Sequence, residues 1–232
     1  MVGTDVQNTG VQQGIYISPT DMMTLVPLQG HQSGSVVGIN DNQLFGATYA
    51  DYDGTNLHTL GGIGDINGSG IPTALSNGGA DSGIVTGIFG DGSATGWVGS
   101  WSGLNIGVSH AAIWDPSHTL IILDPSSTLS QANGFDPNSR TVVGALAGST
   151  AYRWVEQADG SIRAFDLNTE IQAGSPWHLS TAVGILGDGR IYGTGTYNGQ
   201  ATSFILTPVP EPFSLIGVAI GSLILVTRRR AY

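Results

Sequence analysis

The chain has 232 residues, 36 of them glycine and 10 proline, with 40% hydrophobic and only 10% charged residues. The apolar content excludes a disordered polar chain, and so many poor helix formers with so little Glu and Arg exclude a mainly helical one. The formal charge is −10 without a single lysine, which excludes nucleic-acid binding, and the lack of cysteine excludes disulfides, thiolate zinc sites and cysteine nucleophiles.

At the N-terminus, MVGTDVQNTGVQQGIYIS carries neither the basic residues nor the apolar run of an export signal. It aligns instead with IYGTGTYNGQATSFILT near the other end, placing Gly3 on Gly193 and Ile15-Tyr16 near Phe204-Ile205. The chain is therefore expected to begin inside a repeat, as a fragment whose upstream part held the signal peptide.

Four units follow, each a small-apolar strand, a turn with Asp or Asn, and a second apolar strand. Their first glycines are Gly38, Gly87, Gly134 and Gly184, separated by 49, 47 and 50 residues. Their second glycines are Gly46, Gly96, Gly144 and Gly193, separated by 50, 48 and 49. The turns are Asn40-Asp41-Asn42, Gly90-Asp91-Gly92, Asp136-Pro137-Asn138 and Gly187-Asp188-Gly189, residue types that supply tight hairpins with positive φ. A further strand carries an aromatic: Tyr16, Trp114, Trp154 and Phe204, with none in the copy near residue 65 and a short spacing of 40 from Trp114 to Trp154. The stretch GDINGSGIPTALSNGGAD resists alignment.

A period near 49 with short strands predicts an all-β fold of repeated four-stranded units over residues 1–207, propeller-like, since a sandwich has no fixed period. Ile39-Asn40-Asp41 and Leu60-Gly61-Gly62 resemble the motifs of HAF-type extracellular repeat proteins over about residues 14–207. That resemblance implies a repeat scaffold and brings no catalytic activity with it.

Candidate chemistry within the repeats is sparse. His31, His58, His110, His118 and His178 show no zinc-ligand spacing, and no G-x-S-x-G elbow locates a nucleophile. Asp51-Tyr52-Asp53-Gly54-Thr55-Asn56 and Asp65-Ile66-Asn67-Gly68-Ser69-Gly70 place oxygen ligands at alternate positions, as calcium loops do. Position twelve of the second is Ser76 where a bidentate Glu is wanted, and turn chemistry produces the same strings. Neither a metal nor another cofactor is expected, with structural calcium left open. Trp114 and Trp154 recur on the aromatic strand and read as core. Trp97 and Trp101, alternating with small residues in GWVGSWSG, are the expected exposed pair and the candidate sugar contact.

Residues 208–232 form a separate segment. Val209-Pro210-Glu211-Pro212 leads into an uncharged apolar run from Phe213 and closes with Arg228-Arg229-Arg230. Phe213 to Val226 spans roughly 21 Å as a helix against a hydrocarbon core of about 30 Å, a gap that snorkelling arginines narrow. Pro212 suits a first helical turn, and the arginines place that end in the cytoplasm. Motif, helix and arginine stop, in this order, resemble the PEP-CTERM sorting signal of exported Gram-negative proteins. The resemblance implies a transmembrane helix over residues 213–227, transiently in the inner membrane, and processing by an exosortase-type enzyme. The expected protein is a non-catalytic structural or adhesive component of the cell surface or exopolysaccharide matrix. The alternatives are a carbohydrate-binding module and a propeller-scaffold hydrolase.

Overall fold

Glycine- and Asp-rich turns cut this chain into short strands, and each strand finds its partner next in sequence. The computed structural model describes residues 2–6, 12–17, 23–127, 129–147 and 149–209. The first sheet contains β1 (Val2–Val6), β2 (Gln12–Ile17) and β3 (Met23–Leu25). The second contains β4 (Ser33–Ile39), β5 (Leu44–Tyr52), β6 (Leu57–Asp65) and the two-residue β7 (Thr73–Ala74). The third contains β8 (Ser82–Ile88), β9 (Ala94–Ser102), β10 (Asn105–Trp114) and β11 (Leu120–Ile122). The fourth contains β12 (Ser130–Asp136), β13 (Thr141–Leu146), β14 (Thr150–Glu156) and β15 (Ile162–Asp166). The fifth contains β16 (Trp177–Ile185), β17 (Ile191–Tyr197) and β18 (Gln200–Leu206). Every pairing between these named strands is antiparallel and joins neighbours in sequence. The all-β, repeated character is as expected, with four strands in each of the three middle sheets and three in the outer two.

Each sheet covers the one before it. β8 lies against β4, β5 and β6, β12 against β8, β9 and β10, and β16 against β12, β13 and β14. β4 lies against β1 and β2. By this packing β1 and β2 hold the places of the second and third strands of a unit. Gly3 pairs with Ile15 as Gly193 pairs with Phe204.

The four expected turns all join a first strand to a second. Each ends on a residue of positive φ: Gln43 at 65°, Gly92 at 90°, Arg140 at 49° and Gly189 at 84°. Two of them also tie neighbouring sheets together. Asn40 donates from Nδ2 to Phe89 O at 2.6 Å, and Asn42 to Gly90 O at 2.7 Å.

The glycine period has a geometric cause. A β-bulge precedes each first glycine, at Val36/Gly38, Val85/Gly87, Ala132/Gly134 and Ala182/Gly184. The residue set aside by the bulge faces the next sheet in two cases: Thr86 Oγ1 donates to Ala132 O at 2.5 Å, and Asn133 Nδ2 to Ala182 O at 2.9 Å. Opposite the bulge, a Cβ on Gly96 or Gly144 would lie 2.9 Å from the carbonyl carbon of Ile84 or Gln131, with the oxygen closer still. At Gly96, Gly144 and Gly193 a side chain is therefore shut out by a neighbouring backbone, which no rotamer change relieves; Gly46 stands one residue off this place, its Cβ position meeting the Val85 side chain, and Ala47 is the residue opposite Val36.

The core is a series of layers between sheets. Val85, Ala112 and Trp114 close one junction, and Ala132, Val142 and Trp154 the next, each tryptophan only 1% exposed. Burying side chains of this size contributes about 1.5–3 kcal/mol each. The core role expected for both tryptophans holds, but the register of the aromatic strand needs correction. Gly96 pairs with Ala112 and Gly144 with Tyr152, so Trp114 and Trp154 stand at the same place two residues further on. Phe204, opposite Gly193, matches Tyr152, and Leu206 holds the tryptophan place in the fifth sheet. The short spacing of 40 therefore reflects shorter connections in the fourth sheet, with no change of position. In the second sheet the missing aromatic is replaced from the adjacent strand: the fully buried Phe45 ring covers Gly64, its cross-strand partner.

Among the described residues no helix is long and apolar enough to cross a membrane; one 3-10 turn occurs at Leu167–Thr169. The expected transmembrane helix at 213–227, the motif residues Pro210, Glu211 and Pro212, and Arg228, Arg229 and Arg230 lie outside the described residues.

Candidate functional site

The expected exposed tryptophan pair is corrected. Trp97 sits in β9 between Ile84 and Ala111 and is only 2% exposed. Trp101, at the end of the same strand, is half-buried, with its ring 5.8 Å from Trp97 and its Nε1–H 3.4 Å from Thr59 Oγ1. The alternation with small residues reads as one wet face only for a sheet with an open side. β9 is a second strand inside the stack, and both its faces are covered along most of its length.

The candidate calcium loops spend their carboxylates on their own turns. Asp53 Oδ1 accepts the N–H groups of Thr55 and Asn56 at 2.7 and 2.8 Å, and Oδ2 meets His58 Nε2 at 3.0 Å. The Asn56 N–H, then His58, hold the Asp53 pKa down to about 2. Asp65 Oδ1 accepts the Asn67 N–H at 2.8 Å. Asp51 meets His31 Nδ1 at 2.6 Å and accepts the Gln32 N–H. Burial pushes Asp51 upward, but these bonds leave it below its ordinary value. No group of three or more His, Asp or Glu among the described residues could hold a metal ion.

The histidines are likewise dispersed. His31 stacks on Tyr49 with ring centroids 4.8 Å apart, and His58, near the start of β6, reaches back to Asp53 in the turn before it. His110 Nδ1 lies 3.2 Å from Asp124 O, and His178 Nε2 lies 3.1 Å from Ser149 O. His118 adopts a φ of 64° in the turn before β11. These positions span three sheets and do not converge.

Two concave sites lie at the sheet junctions. One, of about 320 Å³, opens between the third and fourth sheets. Its apolar wall includes Ile113, Leu123, Phe135 and Val142, and Trp154 also lines it. Its polar wall comprises Asp91, Asp115, Glu156 and Arg140, with Arg140 Nε donating to Glu156 Oε2. Hydrogen bonds from the Ser117 hydroxyl and the Thr119 N–H hold Asp115 below the ordinary carboxylate range. The Trp154 indole N–H, buried here, has no hydrogen-bond partner among the described residues. The second site, of about 710 Å³, is its counterpart between the fourth and fifth sheets. There Leu206 stands where the tryptophan would be, beside the Arg153–Glu170 ion pair of 2.5 Å and the segment Thr207–Val209.

Neither cavity was visible in the sequence.

Fold and junctions together define an all-β repeat protein of successive antiparallel sheets. No protein-family model matches the chain, and no curated protein matches it. Among solved structures it is similar to Porphyromonas gingivalis dipeptidyl peptidase 4, with 10% identity and a TM-score of 0.47 over 88% of this chain. The match covers 37% of that protein, so this chain spans little more than a third of it. It is also similar to a protein named as a gluconolactonase, with 14% identity and a TM-score of 0.41, over 84% of this chain and 71% of that one. Neither likeness bears on chemistry.

Proposed function

We propose that the chain is a non-catalytic structural or adhesive repeat protein of the Gram-negative cell exterior. Its sheets are the blades of a propeller-type scaffold, and residues 209–232 are a sorting signal read by an exosortase-type enzyme. The observation that carries this reading is the order Pro-Glu-Pro, apolar run, arginine stop immediately after the last repeat. The scaffold's layout suits it: β18 ends at Leu206, and Thr207–Val209 follows it, with Val209 85% exposed at the foot of the motif. A processing enzyme would need such an accessible segment. The propeller reading rests on sheets that each cover the preceding one through a first strand, at a fixed period.

The test is the fate of the C-terminus in a host carrying an exosortase. The chain would be given a signal peptide and an internal epitope tag, followed by fractionation and intact mass. A surface or medium form ending near residues 210–212, lost when Pro210-Glu211-Pro212 becomes Ala-Ala-Ala, supports the proposal. Full-length protein held in the inner membrane whatever the motif refutes it.

A further inference from the structure

We propose that β18 pairs antiparallel with β18 of a second copy of this chain, about a twofold axis at Ser203. This does not depend on the sorting signal.

The repeat supplies the comparison. The third strand of each middle sheet carries a fourth: β7 on β6, β11 on β10 and β15 on β14. β18 is the third strand of the fifth sheet, and among the described residues no strand pairs with its far side. Gln200, Ala201, Thr202 and Ser203 are exposed, and Ile205 is 65% exposed. An open edge presents a row of unpaired N–H and C=O groups, which charges, prolines or bulges ordinarily protect. The other third strands have such features: Asp65 in β6, a register shift between Ile106 and Val108 in β10, and Arg153 and Glu156 in β14. β18, with the sequence QATSFIL, has no charge, no proline and no register shift against β17. The fifth sheet rests on the fourth through β16, and Leu206 of β18 lines the open cavity of that junction, which leaves room below the edge.

Charge and geometry select a second copy as the partner. The chain carries a formal charge of −10, so two copies repel one another unless they meet through a neutral surface, and β18 is one. The register that pairs all seven residues of the strand with their own copies places Ser203 against itself and Ala201 against Ile205 of the second copy. A twofold axis sets the central residue against its own copy, where a charge would repel and a hydroxyl can both donate and accept. A disordered peptide added to β18 would lose its conformational freedom and leave a new open edge. Two β18 strands are already ordered, and their pairing closes both edges at once. One strand pair is a small interface, below the roughly 1,200 Å² of stable complexes, so the association is weak and reversible.

The chain has no cysteine, so single cysteines report the register. Directly opposed residues of an antiparallel pair have Cα atoms about 4.5–5.5 Å apart, inside the disulfide range of about 4.4–6.8 Å. Ser203→Cys in the full chain, held in detergent micelles at about 100 μM and mildly oxidised, should form a covalent dimer. Ala201→Cys lies on the same face, but its own copy would stand about four residues, or about 14 Å, along the strand, and its cross-linking should be at least about tenfold slower. Ser203→Asp sets two carboxylates against each other at the axis and should weaken the dimer at least about tenfold in sedimentation equilibrium. Equal cross-linking at both positions, which would mean association through the apolar C-terminal run, overturns the proposal. So does the absence of a Ser203→Cys dimer, the result expected if another segment or partner pairs with β18. An unchanged dimer in Ser203→Asp overturns it as well.

Discussion

Gly144→Ala tests the cause assigned to the glycine period. A Cβ at this position would lie 2.9 Å from the Gln131 carbonyl carbon and 3.0 Å from Ala132 Cα, with the Gln131 oxygen nearer still. All three atoms are backbone, so no side chain can swing away. Relief requires β12 to retreat from β13 by about 1 Å, which takes the flanking ladder bonds beyond their usual range of about 2.7–3.2 Å. Two weakened bonds at about 1 kcal/mol each, added to an overpacking cost of about 1–3 kcal/mol, give about 3 kcal/mol or more. For a chain of this size that lowers the midpoint of thermal unfolding by about 6–12 °C. Gly187→Ala is the control: nothing lies within 4 Å of its Cβ position, and its φ is not positive. It should leave stability unchanged or raise it by up to about 1 kcal/mol. Calorimetric melting of both variants beside the parent decides the matter. A Gly144→Ala midpoint within about 2 °C of the parent would refute the bulge-carbonyl explanation.

Ser130→Ala removes a buried hydroxyl that accepts the Ala111 N–H at 2.8 Å across the third junction, and the orphaned N–H should cost about 1–3 kcal/mol in urea unfolding. Ser82, which accepts the Thr59 N–H at 3.0 Å one junction earlier, should behave alike, and a loss under about 0.5 kcal/mol in both would show that the junction does not depend on these bonds. The Asp53–His58 pair gives a pH dependence of definite sign. Its hydrogen bond to Asp53 raises the His58 pKa, so the contribution is complete below the unfolded value of about 6.5 and is lost as pH rises through the folded value. The Asp53 pKa is lowered to about 2, so its contribution is present above about 3.9 and is lost as pH falls toward 2. A small decline in melting midpoint from about pH 6 to 8 should vanish in His58→Gln; an unchanged slope would place the dependence elsewhere.

Much of the scaffold was legible because turns and close approaches are chemistry of single residues. Asp-Gly and Asn-rich strings announced the hairpins, and all four ended on a positive φ as such turns require. The glycine spacing announced the units, although its cause at Gly96, Gly144 and Gly193, a bulge that pushes a carbonyl into the neighbouring strand, involves two strands at once and leaves no mark on either alone. The aromatic strand was found but placed two residues off at Phe204, since periodicity counts residues and register depends on pairing. Trp97 shows the same limit from another side. Alternation with glycine and serine tells which residues share a face, and only the next sheet decides whether that face is wet.

The junctions follow from this. When one backbone plan is repeated, equivalent positions meet equivalent surroundings, so a change of side chain at one copy leaves its partners where the other copies have them. Phe45 over Gly64 is a change that is compensated, the aromatic moving one strand across. Trp154 is a change that is not: its ring is retained, its indole N–H has no partner among the described residues, and the side chain lines an open cavity. Stability alone would favour sealing that junction as Trp114 is sealed, with the indole against a carbonyl. A repeat protein that leaves one of its junctions open, with a buried donor still in place, has there a position whose chemistry its own fold does not use.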